Sequence, residues 1–338
     1  MTEARLKGLN ALRAICAIFI VLGHAAQRDF VSWSIRPFPV PECCAYVFFV
    51  ISGFLAGYKI ETVSSAGIYF KKKAFRLLPL YYIYIALTLI VYLLIGKSYE
   101  VINPSLWYYI LLVPSIPFCN HQGILPLVHL WFIGSLVLFH IVFFVFSKFK
   151  GNRMKNATIV IILWFCFKLL SRIIWGKHSF AYRFAGVTCF DILFLGVIGG
   201  IAYRKKSGLV YFFTEPGRAS IYSMISWILF LTSGLFGKII PAIIRPEFIS
   251  ILSLIMIITQ QGPKPCHLLE KRVFDWLSGI SYEIYVCHIL LLILLSAEYI
   301  NLKFTLPSII IYIICFVIII PSAWMIKQFL TFCLAKHM

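Results

Sequence analysis

Apolar residues in this chain do not alternate with polar ones. They run almost unbroken for about 20 positions, stop at a polar or basic cluster, and begin again. A helix needs roughly 20 such residues to cross a hydrocarbon core about 30 Å thick. Ten blocks of this kind are found, at roughly 9–27, 43–60, 77–96, 127–147, 157–174, 185–203, 219–236, 241–259, 276–296 and 305–326. The pattern predicts an all-α, polytopic membrane helix bundle of about ten transmembrane helices. It is expected to form a single membrane domain over 1–338 with no separate soluble domain. The first block is long enough to span and shows no small-residue cleavage site after it, so it reads as a first helix and not as a signal peptide.

The connections sharpen this picture. The longest outer one, about 97–126, contains WYYILLVPSIPFCNHQGILP, whose aromatics and prolines predict interfacial or re-entrant structure. On the opposite side, 59–76 reads as an inner loop containing KKKAFR, with Pro79 expected in the first turn of the following helix.

Composition agrees. The chain is 61% hydrophobic and 13% charged, with a mean hydropathy of +0.93, against roughly a quarter charged in soluble domains. The net charge of +19 would suit nucleic acid, but its placement does not. With the N-terminus inside, and with Lys59, Arg172 and Arg245 at span ends counted with the adjoining loops, inner segments hold 20 Lys and Arg, outer ones hold 9, and Arg13 and Lys168 lie within spans. This is the positive-inside rule. Both termini are therefore expected in the cytoplasm, and the charge is read as topological, with the lipid bilayer and not nucleic acid as the partner. The ten cysteines include no CxxC pair and read as packing residues, with no metal site. There is no P-loop, dinucleotide glycine fingerprint, HExxH or GxSxG.

Ionisable side chains within spans are costly and so mark candidate chemistry. LRAICAIFIVLGHA carries Arg13 at one end and His24 at the other. Eleven helical steps make about three turns plus roughly 20°, so the two share a face about 16 Å apart along the axis. A snorkelling arginine and an interfacial histidine would give the same pattern. His129, Asp191 and His288 are expected at a depth similar to that of His24 on three other helices, which suggests a polar cavity in the outer half. Ser281, Tyr285 and His288 form one stripe at i, i+4 and i+7, with Glu283 off it. On the inner side, Lys71, Lys72, Lys73 and Arg76 suit either ordinary interfacial charge or a clamp for a phosphorylated ligand.

Several stretches in order resemble the acyltransferase family 3 membrane proteins, bacterial O-acyltransferases of surface polysaccharides. The Arg13–His24 spacing resembles the family's first-helix signature, and FFVISGFLAGY its second-helix block. KKKAFRLLPLYY resembles the basic block before the third helix, HLWFI the start of the fourth, and ISYEIYVCH the late Tyr-Tyr-His block. FDILFLGVIGGIAY resembles a glycine-containing helix found in the same order. The sequence departs from the family at Asn10, where many members have Asp. It departs again at Lys73, the first position of an Arg-x-x-Arg pair, and at Leu136, where many have Glu.

The resemblance implies an integral membrane O-acyltransferase of the bacterial inner membrane. Its expected donor is cytoplasmic acyl-CoA, acetyl-CoA first, used as a substrate with no tightly bound cofactor. Its expected acceptor is a sugar hydroxyl of a surface polysaccharide or a lipid-linked precursor. Arg13, Lys73 and Arg76 would take the donor's phosphates. His24 would act as general base, with His288 and Tyr285 as further catalytic candidates. Ser52, His129, Trp131 and Asp191 would line the substrate site. Direct transfer and an acyl-histidine intermediate both remain open. A saccharide transporter or flippase is the alternative reading. The oligomeric state is not legible.

Overall fold

The computed structural model describes residues 6–27, 38–63, 65–263, 265–295 and 308–335. A helix lies over each of the ten apolar stretches, and no strand occurs among the described residues. The first five long helices are α1 (Leu9–Gln27), α2 (Pro41–Tyr58), α3 (Ala66–Leu94), and, after two short turns α4 (Leu106–Ile110) and α5 (Ser115–Cys119), α6 (Trp131–Lys148) and α7 (Arg153–Trp175). Next come α8 (Phe180–Thr188), α9 (Phe190–Arg204), α10 (Gly208–Thr214), α11 (Pro216–Leu231) and α12 (Arg245–Thr259). The chain continues with α13 (Arg272–Gly279), α14 (Ser281–Leu295) and α15 (Ser308–Ala335).

Among the described residues, seven spans are long and apolar enough to cross a membrane, or eight if α13 and α14 form one broken span. The other two expected spans are not confirmed by length, since α11 and α12 have 16 and 15 residues, or about 24 and 22 Å of helix. The chain ends, residues 1–5 and 336–338, lie outside the described residues, as do 28–37 and 296–307.

Local chemistry accounts for several boundaries. Pro41 opens α2 at its first turn, where its missing N–H is no loss. The Asn152 side chain accepts from the Met154 and Lys155 amides and caps α7. Cys189, at φ +51°, closes α8 in the left-handed conformation and hands directly to α9. The basic block is a correction to the sequence reading. No breaker separates Ala66 from Pro79, so α3 begins at Ala66, takes Lys71, Lys72, Lys73 and Arg76 into the helix, and has Pro79 in its interior. At 29 residues, α3 is about 44 Å long and outruns the hydrocarbon core.

Residue contacts divide the chain into two compact units. The first comprises Met1–Ile20, Ile35–Val63 and Phe139–Gly279; the second comprises Val21–Ser34, Ser64–Leu138 and Ile280–Met338. The first is built on α2 against α9, with α7 and α12 packed around them. Both central helices carry glycines four apart. A Cβ added at Gly53 would sit 2.0 Å from the Leu193 carbonyl oxygen, and one at Gly57 would sit 2.2 Å from that of Val197. From the other side, a Cβ at Gly196 or Gly200 would meet the carbonyl oxygens of Val50 and Phe54 at 2.4 and 2.1 Å. These backbones touch, as the small-xxx-small pattern permits in membrane helices.

In the second unit, α14 packs on α3 and α15. Residues 98–130 turn back alongside α3, and tyrosine hydroxyls fasten them there. Tyr81 donates to the Tyr109 carbonyl at 2.8 Å, Tyr82 to that of Ile110 at 3.0 Å, and Tyr84 to that of Pro126 at 2.7 Å. Tyr109 in turn accepts the Ile124 amide at 3.1 Å. Tyr81 lies 13 residues before the end of α3, about 20 Å back along its axis. The connection therefore folds back along α3. Irregular backbone at such depth requires donors from protein, and the tyrosines supply them.

Candidate active site

Two elements of the second unit, the folded-back connection and α14, bring three histidines together with the end of α1. The connection ends in a short 3-10 turn, Val128–Leu130, which presents His129, and α14 carries His288 two turns from its start. His288 is fully buried and His129 is 3% exposed, while His24 is half-buried. The His288 ring centroid lies 5.3 Å from that of His24 and 5.3 Å from that of His129.

Backbone carbonyls hold two of these rings. His288 Nδ1 donates to the Tyr285 carbonyl at 2.7 Å, with Ile284 at 3.2 Å. His129 Nε2 donates to the Val286 carbonyl at 2.9 Å. Aromatic rings box His129 in, with Tyr84 at 5.4 Å and Tyr285 at 5.6 Å. The Tyr285 hydroxyl donates to the His129 carbonyl. That hydroxyl, expected as a further catalytic candidate, braces the turn that carries His129. Trp131 follows in the same unit, stacked on Phe118 at 5.4 Å, its carbonyl accepting from Ser135 at 3.0 Å.

Imidazoles in this setting can pass protons but are not arranged to bind metal. Among the described residues no group of three or more His, Cys, Asp or Glu could hold a metal ion. Residues 6–327, nearly the whole chain, match the family model of the Acyl_transf_3 acyltransferase domain. The chain belongs to the acyltransferase 3 family. It is a membrane acyltransferase. No curated protein and no solved structure gives a significant match.

Within the family frame, the remaining candidates fall in different places. Lys73 and Arg76 belong to the second unit, on the first turns of α3; Lys73 lies over the Tyr69 ring at 5.7 Å and Arg76 is exposed. One residue beyond Arg76, the Leu77 carbonyl accepts from Tyr282 at 2.6 Å, which ties the basic turn to the start of α14. Arg13 is half-buried on α1 in the first unit, three residues beyond Asn10. Where many relatives have Asp, Asn10 donates to the Asp275 carboxylate on α13 at 2.8 Å and accepts from Ser278 at 3.3 Å. Ser52 is half-buried on α2, also in the first unit.

Asp191 lies in the first unit, 2% exposed, with its Oδ2 2.8 Å from Lys168 Nζ; the same Nζ also bonds Glu247. Sequence reasoning had left Lys168 without a role and had not singled out Glu247. The signal was present in both cases, as the single charge in LWFCFKLL and as the carboxylate two residues after Arg245 in IIRPEFIS. Tyr84 was also missed, because a tyrosine in an aromatic-rich span gives no sign of what its hydroxyl reaches.

Proposed function

We propose that this membrane acyltransferase moves an acyl group, acetyl first among candidates, from cytoplasmic acyl-CoA to a sugar hydroxyl. The acceptor is a bacterial surface polysaccharide or its lipid-linked precursor, and the enzyme works in the inner membrane. The observation that carries this reading is the histidine trio, two of its members buried, in a chain of the acyltransferase 3 family. A transfer from thioester to hydroxyl needs a group that takes the hydroxyl proton and returns it to the leaving sulfur, and an imidazole does both near neutral pH. We assign that role to His24, which is the least enclosed of the three.

Lys73 and Arg76 serve the donor's phosphates, Arg76 as a two-pronged donor and Lys73 as a point charge. Arg13 is added to them on the strength of the first-helix resemblance. Acceptor hydroxyls are offered to His24 past His129 and Trp131. The test is mass spectrometry of surface polysaccharide from cells with and without the intact gene, paired with transfer from radiolabelled acetyl-CoA by purified protein. An acyl ester that disappears with the gene, together with transfer by the purified chain, supports the reading. Unchanged polysaccharide together with no use of acyl-CoA removes it.

A further inference from the structure

The first unit carries a groove that plays no part in the chemistry assigned to the histidines. It holds about 480 Å³ and lies between α6 and α7, with Phe194 of α9 behind them. Phe146 and Phe194 make its floor; both are buried, and their rings meet edge to face with centroids 5.0 Å apart. Ile141 and Val145 on α6 and Ile159 on α7 make its walls, and these side chains are exposed. Among the described residues, Asn156 is the only polar one in the lining. From Ile141 to the end of α6 the groove follows the helix for about 10 Å. That is most of one leaflet of a hydrocarbon core about 30 Å thick.

One end of the groove meets the turn between the two helices, where Phe149 and Asn156 join the lining. That turn reads KFKGNRMK, four cations and no acid. Arg153 is paired with Glu61, and Lys148 lies over the Phe144 ring at 4.9 Å; Lys150 and Lys155 are exposed. A surplus of positive charge thus stands where an apolar groove ends. Neither part alone names a ligand. Lysines in a loop follow from the positive-inside rule, and an apolar face of a membrane bundle is covered by lipid of any kind. Together they match a molecule with a hydrocarbon tail and an anionic head, and basic pockets between membrane helices take such head groups. We infer that this groove binds an anionic phospholipid, one acyl chain lying on Phe146 and Phe194 and the phosphate beside Lys150 and Lys155. On the topology expected from the charge distribution, the lipid belongs to the inner leaflet. The site uses none of the histidines, so it stands apart from what the enzyme acylates.

The test offers full-length protein in detergent an equal mixture of phosphatidylglycerol and phosphatidylcholine with the same acyl chains. Native mass spectrometry reads which lipid stays bound, and the parent should retain phosphatidylglycerol in preference. A basic residue at an anionic surface corresponds to roughly fivefold in affinity. Lys150→Gln combined with Lys155→Gln should therefore lose about 25-fold for phosphatidylglycerol and little for phosphatidylcholine. Val145→Trp fills the groove from α6 and should lower retention of both lipids, and Ile159→Trp should repeat this from the opposite wall. Leu170→Trp, at an exposed position near the far end of α7, should change neither. Equal retention of the two lipids by the parent, or a preference that survives the loss of both lysines, would overturn the proposal. So would retention untouched by both groove-filling variants, or lost equally in Leu170→Trp. A dimer that Val145→Trp breaks would give the groove to a second copy of the chain. Displacement of phosphatidylglycerol by an equal amount of a polyprenyl phosphate would give it to a lipid-linked acceptor, and either result overturns the phospholipid.

Discussion

The two units each bury a cluster of titratable side chains, and the clusters are built on opposite principles. In the first unit, Lys168 is shared by Asp191 and Glu247, charges of both signs drawn from three helices. In the second, His24, His129 and His288 pack ring to ring, two of them tethered to backbone carbonyls. Buried ions are tolerated only when paired, and removing one partner strands the rest. Neutral imidazoles have no such requirement and keep a lone pair for use. A polar residue in a membrane span is thus a staple or a reagent according to what it faces, and its depth does not decide which.

The largest effect is expected at the reagent end of the comparison. His24→Gln keeps size and hydrogen bonding but supplies no comparable base, so transfer should fall by about 10²- to 10⁴-fold. The amount of folded protein and its affinity for acyl-CoA should stay near the parent's. Near-parent transfer in a well-folded variant would erase the distinction between the clusters. Lys168→Met should do the reverse. Two carboxylates lose their shared cation, and stability should drop by about 3–5 kcal/mol, read as a lower melting temperature in detergent. Combining it with Asp191→Asn and Glu247→Gln removes the stranded charges and should restore most of that stability, which would mark the triad as a staple. A triple variant that is stable but cannot transfer acyl groups would instead move the triad into the chemistry.

A third change tests the basic turn of α3. Arg76→Ala should raise the apparent KM for acyl-CoA about tenfold, and Arg76→Lys should recover only part of it because the fork is gone. Unchanged donor binding in both would return this turn to interfacial charge. The smallest effect belongs to Tyr285→Phe, which removes one hydrogen bond to the His129 carbonyl. It should cost about 1 kcal/mol of stability and lower transfer by less than about tenfold. A loss as large as that of His24→Gln would make the hydroxyl itself a participant.

What the sequence made legible was set by what hydropathy measures. Runs of apolar residues locate helices, so all ten stretches proved helical, and the aromatic, proline-rich connection folds back along α3. Hydropathy marks where lipid ends, not where a helix begins. The reading therefore opened α3 near Pro79, although nothing after Ala66 stops it. Depth was used to group Asp191 with the histidines, and depth says nothing of partners. Its cation is 23 positions away in sequence, and Lys168 finds its second carboxylate 79 positions on. The paired glycines of α2 and α9 were quoted as motif letters, but their close contact depends on which helices meet. The histidines were the clearest signal, since each is rare within a span and all three reach one place.

The tyrosine fastening of the folded-back connection also bears on how the protein is made. Until α3 stands in the bilayer, residues 98–126 have no hydroxyls to meet their open carbonyls and must wait in water. His129 follows immediately, but its ring is held by the Val286 carbonyl, which leaves the ribosome 157 residues later. A growing chain thus carries His129 long before the carbonyl that orients its ring exists. The chemistry is withheld from every unfinished copy, and a product truncated ahead of Ser281 should sit in the membrane as an inert fragment.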